Sequence, residues 1–225
     1  MTSLLNTNFN QTVRILIVDD HPIVREGLAA LLCAQPDLRV CGEAANLAEA
    51  VQQMTSQVPD VVIVDIALAN ENGLDVVRRV RNIDPKVRIL VVSMYDDELY
   101  AERSLEAGAM GYLNKQAASR NIVIAIRRIL AGQRYLSEEI KARLLTRQNN
   151  EVPAGARQGI AALSDRELEV FRMIGTGLTT TEIASQLCLS VKTIESHRLN
   201  IKSKLNITNA AQLSREATHF VLQNG

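Results

Sequence analysis

Three carboxylates follow strongly apolar stretches of this 225-residue chain, at points where a buried charge needs a partner or a use. Asp19 and Asp20 come directly after VRILIV, and Asp65 closes DVVIVD. Two further stretches end in polar side chains, since Ser93 closes VRILVVS and Lys115 follows GYLN. A charge at the end of a buried strand is costly unless an opposite charge pairs with it or a reaction uses it.

This combination of acids, a hydroxyl and a lysine suits chemistry on a phosphoryl group. Three carboxylates in one place raise one another's pKa unless a cation lies between them. Oxygen ligands favour a hard divalent ion, and Mg²⁺ is the natural candidate. Asp65 would attack phosphorus while Mg²⁺ and Lys115 neutralise the phosphoryl oxygens. Any one of these acids could instead be a helix cap, but polar residues at successive strand ends favour a shared site.

The elements that must bring these residues together alternate regularly along the chain. Short β-branched runs cover 13–18, 38–44, 60–65, 87–93 and 111–114, and helical patterns cover 23–34, 46–57, 74–83, 98–108 and 118–132. Five such units predict an α/β fold with a doubly wound, five-stranded parallel sheet. Runs that are apolar throughout fit strands covered on both faces. Ligands of these folds bind at the carboxyl ends of the strands, where the polar residues above would converge.

Residues 13–131 resemble a response-regulator receiver domain, which has a flavodoxin-like fold. The matching residues are Asp19, Asp20, Asp65, Ser93, Tyr112 and Lys115. The resemblance implies that Asp65 accepts a phosphoryl group from a histidine kinase. It also implies that the backbone carbonyl of Ala67 joins the three carboxylates around Mg²⁺. Ser93 and Tyr112 would form a switch pair that moves on phosphorylation and gives a distant readout.

One loop departs from the family pattern and leaves alternatives open. The family carries proline four residues after the acceptor, where this chain has Ala69, while the glycine eight residues on is kept as Gly73. Losing proline loosens the loop but removes no catalytic group. One alternative is a receiver that is not phosphorylated and serves only for dimerisation. Another is a phosphatase with an aspartate nucleophile, which usually needs a second acid where Ala67 stands and a cap domain that is not evident.

Charge and composition separate a second module from the first. Residues 1–133 hold 13 basic and 16 acidic residues, a net −3, and residues 134–225 hold 12 and 9, a net +3. This asymmetry is weak evidence for two modules with different partners. We predict a receiver over 12–132, a linker over 133–160 with a helix capped by Ser137, and an all-helical domain over 161–225.

The all-helical part contains a helix, a tight turn and a basic helix, in TTTEIASQL, CLS and VKTIESHRLNIKSKL. This is the helix-turn-helix pattern of DNA-binding proteins, although a basic helix can also be a solvated face. Lysine and arginine would supply the phosphate contacts. The basic residues are Lys192, Arg198, Lys202 and Lys204. Helical spacing predicts core positions at Ile183, Ala184, Leu187, Ile194 and Ile201.

The segment LSDRELEVFRMIGTGLTTTEIASQLCLSVKTIESHRLNIKSKL is similar along its whole length to the LuxR-type DNA-binding domain. The resemblance implies that its basic helix lies in the major groove. Residues facing bases would be Glu195, Ser196 and Leu199. Residues contacting phosphates or orienting the helix would be Thr193, His197, Arg198, Lys202 and Lys204. Glu195 can accept from a cytosine amino group or brace a basic neighbour. The last helix, 209–223, packs in the core or forms a dimer seam.

Together the two resemblances imply a transcription regulator of the NarL/FixJ type, in which phosphorylation frees or dimerises the DNA-binding domain. Its expected partners are a histidine kinase, double-stranded promoter DNA, a second copy of the chain in the active state and, as a candidate, RNA polymerase. No apolar run approaches the roughly 18 residues of a membrane span, so a cytoplasmic protein is expected. The three cysteines are expected to be buried and unpaired, and the three histidines are too scattered for a metal site.

Overall fold

The computed structural model describes residues 12–68, 71–94, 98–138, 140–142 and 159–224. Its strands are β1 (Val13–Val18), β2 (Leu38–Ala44), β3 (Val61–Asp65), β4 (Arg88–Ser93) and β5 (Gly111–Asn114). They form one parallel sheet in the order β2-β1-β3-β4-β5. The predicted doubly wound sheet is therefore confirmed. Every residue of β3 is buried, as expected for a central strand with helices on both faces.

Five helices cover the two faces of this sheet. They are α1 (Pro22–Cys33), α2 (Leu47–Gln57), α3 (Gly73–Ile83), α4 (Glu98–Ala107) and α5 (Lys115–Leu130). Apolar residues of α1 and α5 pack on one face, and those of α2, α3 and α4 pack on the other. Helix α5 begins three residues earlier than the predicted 118. Its cap is Asn114, whose side-chain oxygen accepts a hydrogen bond from the Gln116 amide at 2.8 Å.

The C-terminal domain contains a 3-10 turn (Gly159–Ala162) and four helices. They are α6 (Asp165–Gly175), α7 (Thr180–Gln186), α8 (Val191–Lys204) and α9 (Ala210–Asn224). Ser164 and Glu167 form the predicted capping box of α6, and Thr179 and Glu182 form a second one on α7. The five predicted core residues of α7 and α8 are all buried. Of α9, Leu213, Ala217 and Phe220 lie in the core, while Ala211 is exposed.

The two domains contact each other through a buried arginine. Arg103 of α4 is 2% exposed and donates to the Asp165 carboxylate at 2.6 Å and to the Leu163 carbonyl at 2.6 Å. The second carboxylate oxygen of Asp165 accepts from Arg78 of α3 at 2.6 Å. Helix α6 therefore docks by its N-terminal end on the face formed by α3 and α4.

Three smaller expectations have different outcomes. Ser137 caps the turn that follows it, since its hydroxyl accepts from the Ile140 amide at 3.2 Å, while residues 143–158 of the predicted linker lie outside the described ranges. The expected burial of the cysteines is wrong. Cys33 ends α1 on its outer side, Cys188 sits in the α7–α8 turn, and both are exposed, while Cys41 is half-buried. Within the described residues, no helix is long and apolar enough to cross a membrane.

Candidate phosphoacceptor site and nucleic-acid interface

The carboxyl ends of β1, β3 and β5 bring three charged side chains into direct contact. Asp19 and Asp65 are each 2% exposed. The Nζ atom of Lys115, the first residue of α5, donates to Asp19 Oδ2 and to Asp65 Oδ2, both at 2.7 Å. The amide of Ala67 donates to the other oxygen of Asp65 at 3.3 Å. Two buried carboxylates thus share one ammonium, which leaves the cluster with excess negative charge.

The electrostatics of this cluster favour an additional cation. Burial raises the pKa of Asp65 from its ordinary value of 3.8 to about 6, with a further increase from the charge of Asp19, even though Lys115 lowers it. Burial alone would lower the pKa of Lys115, but Asp65 and Asp19 outweigh that effect and raise it. A single lysine is therefore insufficient to balance the buried carboxylates.

The donor atoms at this edge fit a metal ion. Asp19, Asp20, His21 and Asp65 each offer one ligand atom, and these four atoms lie within 4.8 Å of one another. The carboxylate oxygens are the ligands that a hard divalent cation prefers. His21 Nδ1 lies 2.8 Å from Asp20 Oδ1, so one histidine stands beside the carboxylates although it was not among the predicted ligands. Its position directly after the acid pair could have indicated this neighbourhood.

The loops around the acids are held by residues that carry no chemistry themselves. Arg25 of α1 donates to the backbone carbonyl of Asp19 at 2.7 Å and to the Glu43 carboxylate at 2.9 Å. A Cβ at Gly73 would lie 2.0 Å from the Asp65 carbonyl oxygen, so only glycine lets α3 start this close to β3. Gly73 was expected from the family pattern, whereas Arg25 was not predicted, because its partners are distant along the chain.

The predicted switch residues lie on neighbouring strands, two register positions apart. Ser93 ends β4 and is fully buried, and Tyr112 of β5 is 1% exposed. Tyr112 stands in register with Val91, two residues before Ser93. Tyr112 belongs to the same apolar core as Tyr100 of α4, so a movement of this pair would be felt by that helix. Ala69, the departure from the family loop, lies outside the described residues.

Helix α8 presents one face that the other described residues leave exposed. The exposed residues of this face are Lys192, Glu195, Ser196 and Leu199. The side chain of Leu199 is 60% exposed although it is apolar. The opposite side of the helix is anchored in the core. The side chains of Arg198 and Lys202 are partly exposed beside this face.

Three other predicted DNA-contacting residues have intramolecular surroundings. Lys204 Nζ donates to the Glu167 carboxylate of α6 at 2.6 Å, which ties the end of α8 to the start of α6. The Thr193 hydroxyl lies 2.7 Å from that of Ser190, the N-cap of α8. Burial, followed by the charge of Arg166, lowers the pKa of His197, so this ring favours the neutral form. Lys204 and Thr193 therefore make contacts within the domain.

Both domains of the chain match known protein families. Residues 15–127 match the response regulator receiver domain, and residues 161–217 match the bacterial regulatory proteins of the luxR family. The transcriptional activator protein ExaE of Pseudomonas putida is 36% identical over 94% of this chain and 96% of its own. The chain belongs to the two-component response regulators. Its NarL/FixJ type follows from the order of the two domains.

Two more relatives align with this response regulator over nearly its full length. The response regulator UvrY of Escherichia coli K12 is 34% identical over 95% of each chain. A structure of RcsB from Salmonella enterica serovar Typhimurium, bound to promoter P1flhDC in the presence of the phosphomimetic BeF3−, has a TM-score of 0.63. It is 25% identical and covers 93% of this chain and 100% of its own. The regulator thus shares both domains, in the same order, with transcriptional regulators.

Proposed function

We propose that a histidine kinase phosphorylates the regulator on Asp65 and that this controls promoter binding by α8. The observation that carries this proposal is the shared contact of Lys115 with two buried carboxylates at the ends of parallel strands. A structural ion pair would need one carboxylate, whereas a phosphoacceptor site needs the second for a metal ion. In this proposal the regulator is itself the phosphoryl acceptor, and its chemistry is limited to phosphotransfer to Asp65 and the loss of that group.

The residues of the site have distinct roles in the proposed transfer. An Asp65 oxygen attacks phosphorus, a P–O bond forms, and the P–N bond to the kinase histidine breaks. Asp19, Asp20, Asp65 and the backbone carbonyl of Ala67 would hold Mg²⁺ (His21 lies beside them). The bound ion supplies positive charge to the phosphoryl oxygens. Lys115 is already within 2.7 Å of Asp65 and contributes a second positive charge.

The proposed switch converts this local event into a change at α4. Ser93 lies at the end of β4, one strand away from Asp65, so its hydroxyl can move towards a phosphoryl group. Tyr112 contacts the same core as α4, and rearrangement of the pair would shift that helix. Since α4 carries Arg103, its movement reaches the contact with Asp165 of the DNA-binding domain.

The proposed output is binding of double-stranded promoter DNA by a pair of α8 helices. The exposed face of α8 supports placement in a major groove, with basic side chains on phosphates and a few polar ones on base edges. RcsB, with the same domains, is bound to its promoter in a solved structure. Two regulators on paired half-sites, formed on phosphorylation, give the expected two-fold geometry. A cytoplasmic location follows from this kinase-to-promoter function.

We also propose limits for the two domains and for the linker between them. The receiver covers 12–132, since α5 ends at Leu130, and the linker covers 133–160. The LuxR-type domain covers 161–225, beginning within the 3-10 turn before α6.

Intact mass after incubation with acetyl phosphate and Mg²⁺ tests the phosphoacceptor. Wild type should gain one phosphoryl group, and the adduct should disappear with EDTA or with Asp65→Asn. Asp60→Asn is the matched control, because Asp60 is an exposed acid at the other end of the same stretch, and it should be labelled normally. If neither acetyl phosphate nor the cognate kinase labels folded wild type, the receiver serves dimerisation alone.

A further inference from the structure

The loop that follows Asp65 is anchored to a different helix by one carboxylate. Glu71 Oε2 accepts a hydrogen bond from the backbone amide of Leu47 at 2.6 Å, and Glu71 is partly buried. Leu47 is the first residue of α2, so the donor belongs to the set of amides that a helix start leaves without internal partners. A carboxylate in this position also interacts favourably with the helix dipole. Glu71 thus joins two elements that are 24 residues apart.

The turn that receives Glu71 also contacts the acid pair. The carbonyl of Ala44, at the end of β2, accepts from the Asp19 amide at 3.0 Å. Ala44 and Leu47 flank the short turn between β2 and α2. Through this turn, Glu71 links the loop after Asp65 to the loop that carries Asp19.

The position of Glu71 is transmitted to the proposed metal-facing carbonyl. Asn72, its neighbour, pairs with Ala67 in an antiparallel bridge across the loop. The Gly73 amide donates to the Ile66 carbonyl at 2.9 Å and closes the same loop at its base. A shift of Glu71 therefore moves the segment that pairs with Ala67. The family's proline would stiffen this loop, and the chain has Ala69 in its place.

We propose that Glu71 is a positioning residue for the magnesium site, and that its bond to α2 holds the Ala67 carbonyl where a metal ion can use it. This inference rests on the proposed function of the site. Glu71 is not among the four groups whose ligand atoms cluster, so it acts through the loop rather than as a ligand. Its side-chain bond to the start of α2 restrains the loop.

Mg²⁺ affinity of the full-length protein, measured by isothermal titration calorimetry, tests this role. Residues outside the ligand shell typically change metal affinity by a factor of about 10 or more, so Glu71→Ala should weaken Mg²⁺ binding about tenfold. Glu71→Gln keeps an oxygen that can accept from the Leu47 amide and should recover most of the affinity. The rate of labelling by acetyl phosphate at subsaturating Mg²⁺ should follow the same order.

A matched control separates positioning from the stability of α2. Asn46 caps this same helix, its side chain accepting from the Glu49 amide at 2.9 Å, and among the described residues its side-chain hydrogen bonds are with Glu49 of α2. Asn46→Ala should lower the melting temperature and leave Mg²⁺ affinity within about twofold, because a lost cap costs about 1 kcal/mol of stability without moving the loop. Equal losses of affinity in Asn46→Ala and Glu71→Ala would overturn the positioning role.

The remaining outcomes are also decisive. Wild-type affinity in Glu71→Ala would overturn this inference and leave the proposed function intact. Absence of Mg²⁺ binding by folded wild type would contradict the proposed function itself. If Glu71→Ala does not fold, Glu71→Gln decides alone, and the inference then requires it to bind Mg²⁺ with at most a severalfold loss.

Discussion

At the scale of single residues, the charged form of Asp65 is disfavoured by its burial. The pKa of this carboxyl is about 6 in the folded chain against an ordinary value of 3.8, because burial disfavours the charged form. Between these values the folded chain binds the proton more tightly than the unfolded chain. The contribution of Asp65 to the free energy of unfolding therefore falls as pH rises from about 4 to about 6, and stays low above that. A pKa difference of one corresponds to about 1.4 kcal/mol, so ionised Asp65 costs on the order of 3 kcal/mol.

Replacing Asp65 by asparagine should remove this cost. In EDTA, the free energy of unfolding of Asp65→Asn should exceed that of wild type by about 2 kcal/mol at pH 7 and by much less at pH 4. Urea unfolding followed by circular dichroism across this pH range measures both values. Asp60 is the control, because it lies at the exposed start of the same stretch. If Asp60→Asn gained as much free energy of unfolding over wild type at pH 7, the effect would not be specific to the buried acceptor.

A second residue-level expectation separates two basic residues of α8. Arg198 is partly exposed beside the open face, so Arg198→Ala should weaken DNA binding and reduce the slope of log affinity against log salt by about 1. Lys204 is committed to Glu167, and Lys204→Ala should lower the melting temperature with little change in that slope. Fluorescence anisotropy with promoter DNA at several salt concentrations measures the slopes. Equal slopes for both variants would contradict this division.

The acids and the lysine were predictable because strand ends are visible in the sequence. An apolar run followed by Asp19 or Asp65 locates a charge at the rim of a parallel sheet, whatever the details of packing. His21, Arg25 and Glu71 were not predicted as parts of the site. The partners of Arg25 and Glu71 are loop atoms on other elements, and no local pattern indicates such contacts. The predicted burial of the cysteines was wrong for a related reason, since residue type alone does not say which side of a helix faces the core.

At the scale of elements, two helices of the LuxR-type domain pack so closely that one glycine is required. A Cβ at Gly175, the last residue of α6, would lie 2.3 Å from the Ala217 carbonyl oxygen and 2.6 Å from Val221 Cγ2 of α9. The first of these contacts is with backbone, which cannot rotate away. Helices α6 and α9 would have to separate, and Phe171 and Phe220, whose rings are 5.7 Å apart, would lose their contact.

Gly175→Ala should therefore destabilise the LuxR-type domain by about 1–3 kcal/mol, the usual range for overpacking a core. Gly27→Ala is the matched control, since Gly27 lies inside α1 and a Cβ there meets nothing within 4 Å. Alanine at Gly27 should raise stability by about 0.5–1 kcal/mol through helix propensity. Differential scanning calorimetry of both variants measures the two shifts, and a neutral Gly175→Ala would show that α6 and α9 adjust freely.

Element limits were predicted within a few residues because each run is bounded by a cap, a glycine or a turn. The five strands and the helices between them follow from β-branched runs and helical spacing. The start of α5 was placed too late because the apolar spacing begins at 118, whereas the helix begins at its cap, Asn114. The docking of α6 on α3 and α4 was not predicted, because it depends on contacts 58 to 87 residues apart along the chain.

At the scale of the whole molecule, this docking leaves the DNA-binding helix accessible. Asp165, at the start of α6, accepts from Arg103 and Arg78, and the guanidinium of Arg172 lies 5.8 Å from the Tyr100 ring of α4. The exposed side of α8 takes no part in these contacts. The contact therefore fixes the orientation of the LuxR-type domain relative to the receiver.

Arg103→Ala should release this orientation. Asp165 keeps Arg78, but the carbonyl of Leu163 loses a buried donor, and a buried polar group left without a partner costs about 1–3 kcal/mol. This cost disfavours the docked arrangement of the two domains, so we expect the radius of gyration from small-angle scattering to increase. Arg79→Ala is the matched control, because Arg79 lies exposed on α3 beside the same face and should leave the radius unchanged. If phosphorylation acts through α4, phosphorylated wild type should approach the scattering profile of Arg103→Ala. A profile of Arg103→Ala identical to that of unphosphorylated wild type would show that the domains stay docked without Arg103, through contacts such as the Arg78–Asp165 ion pair.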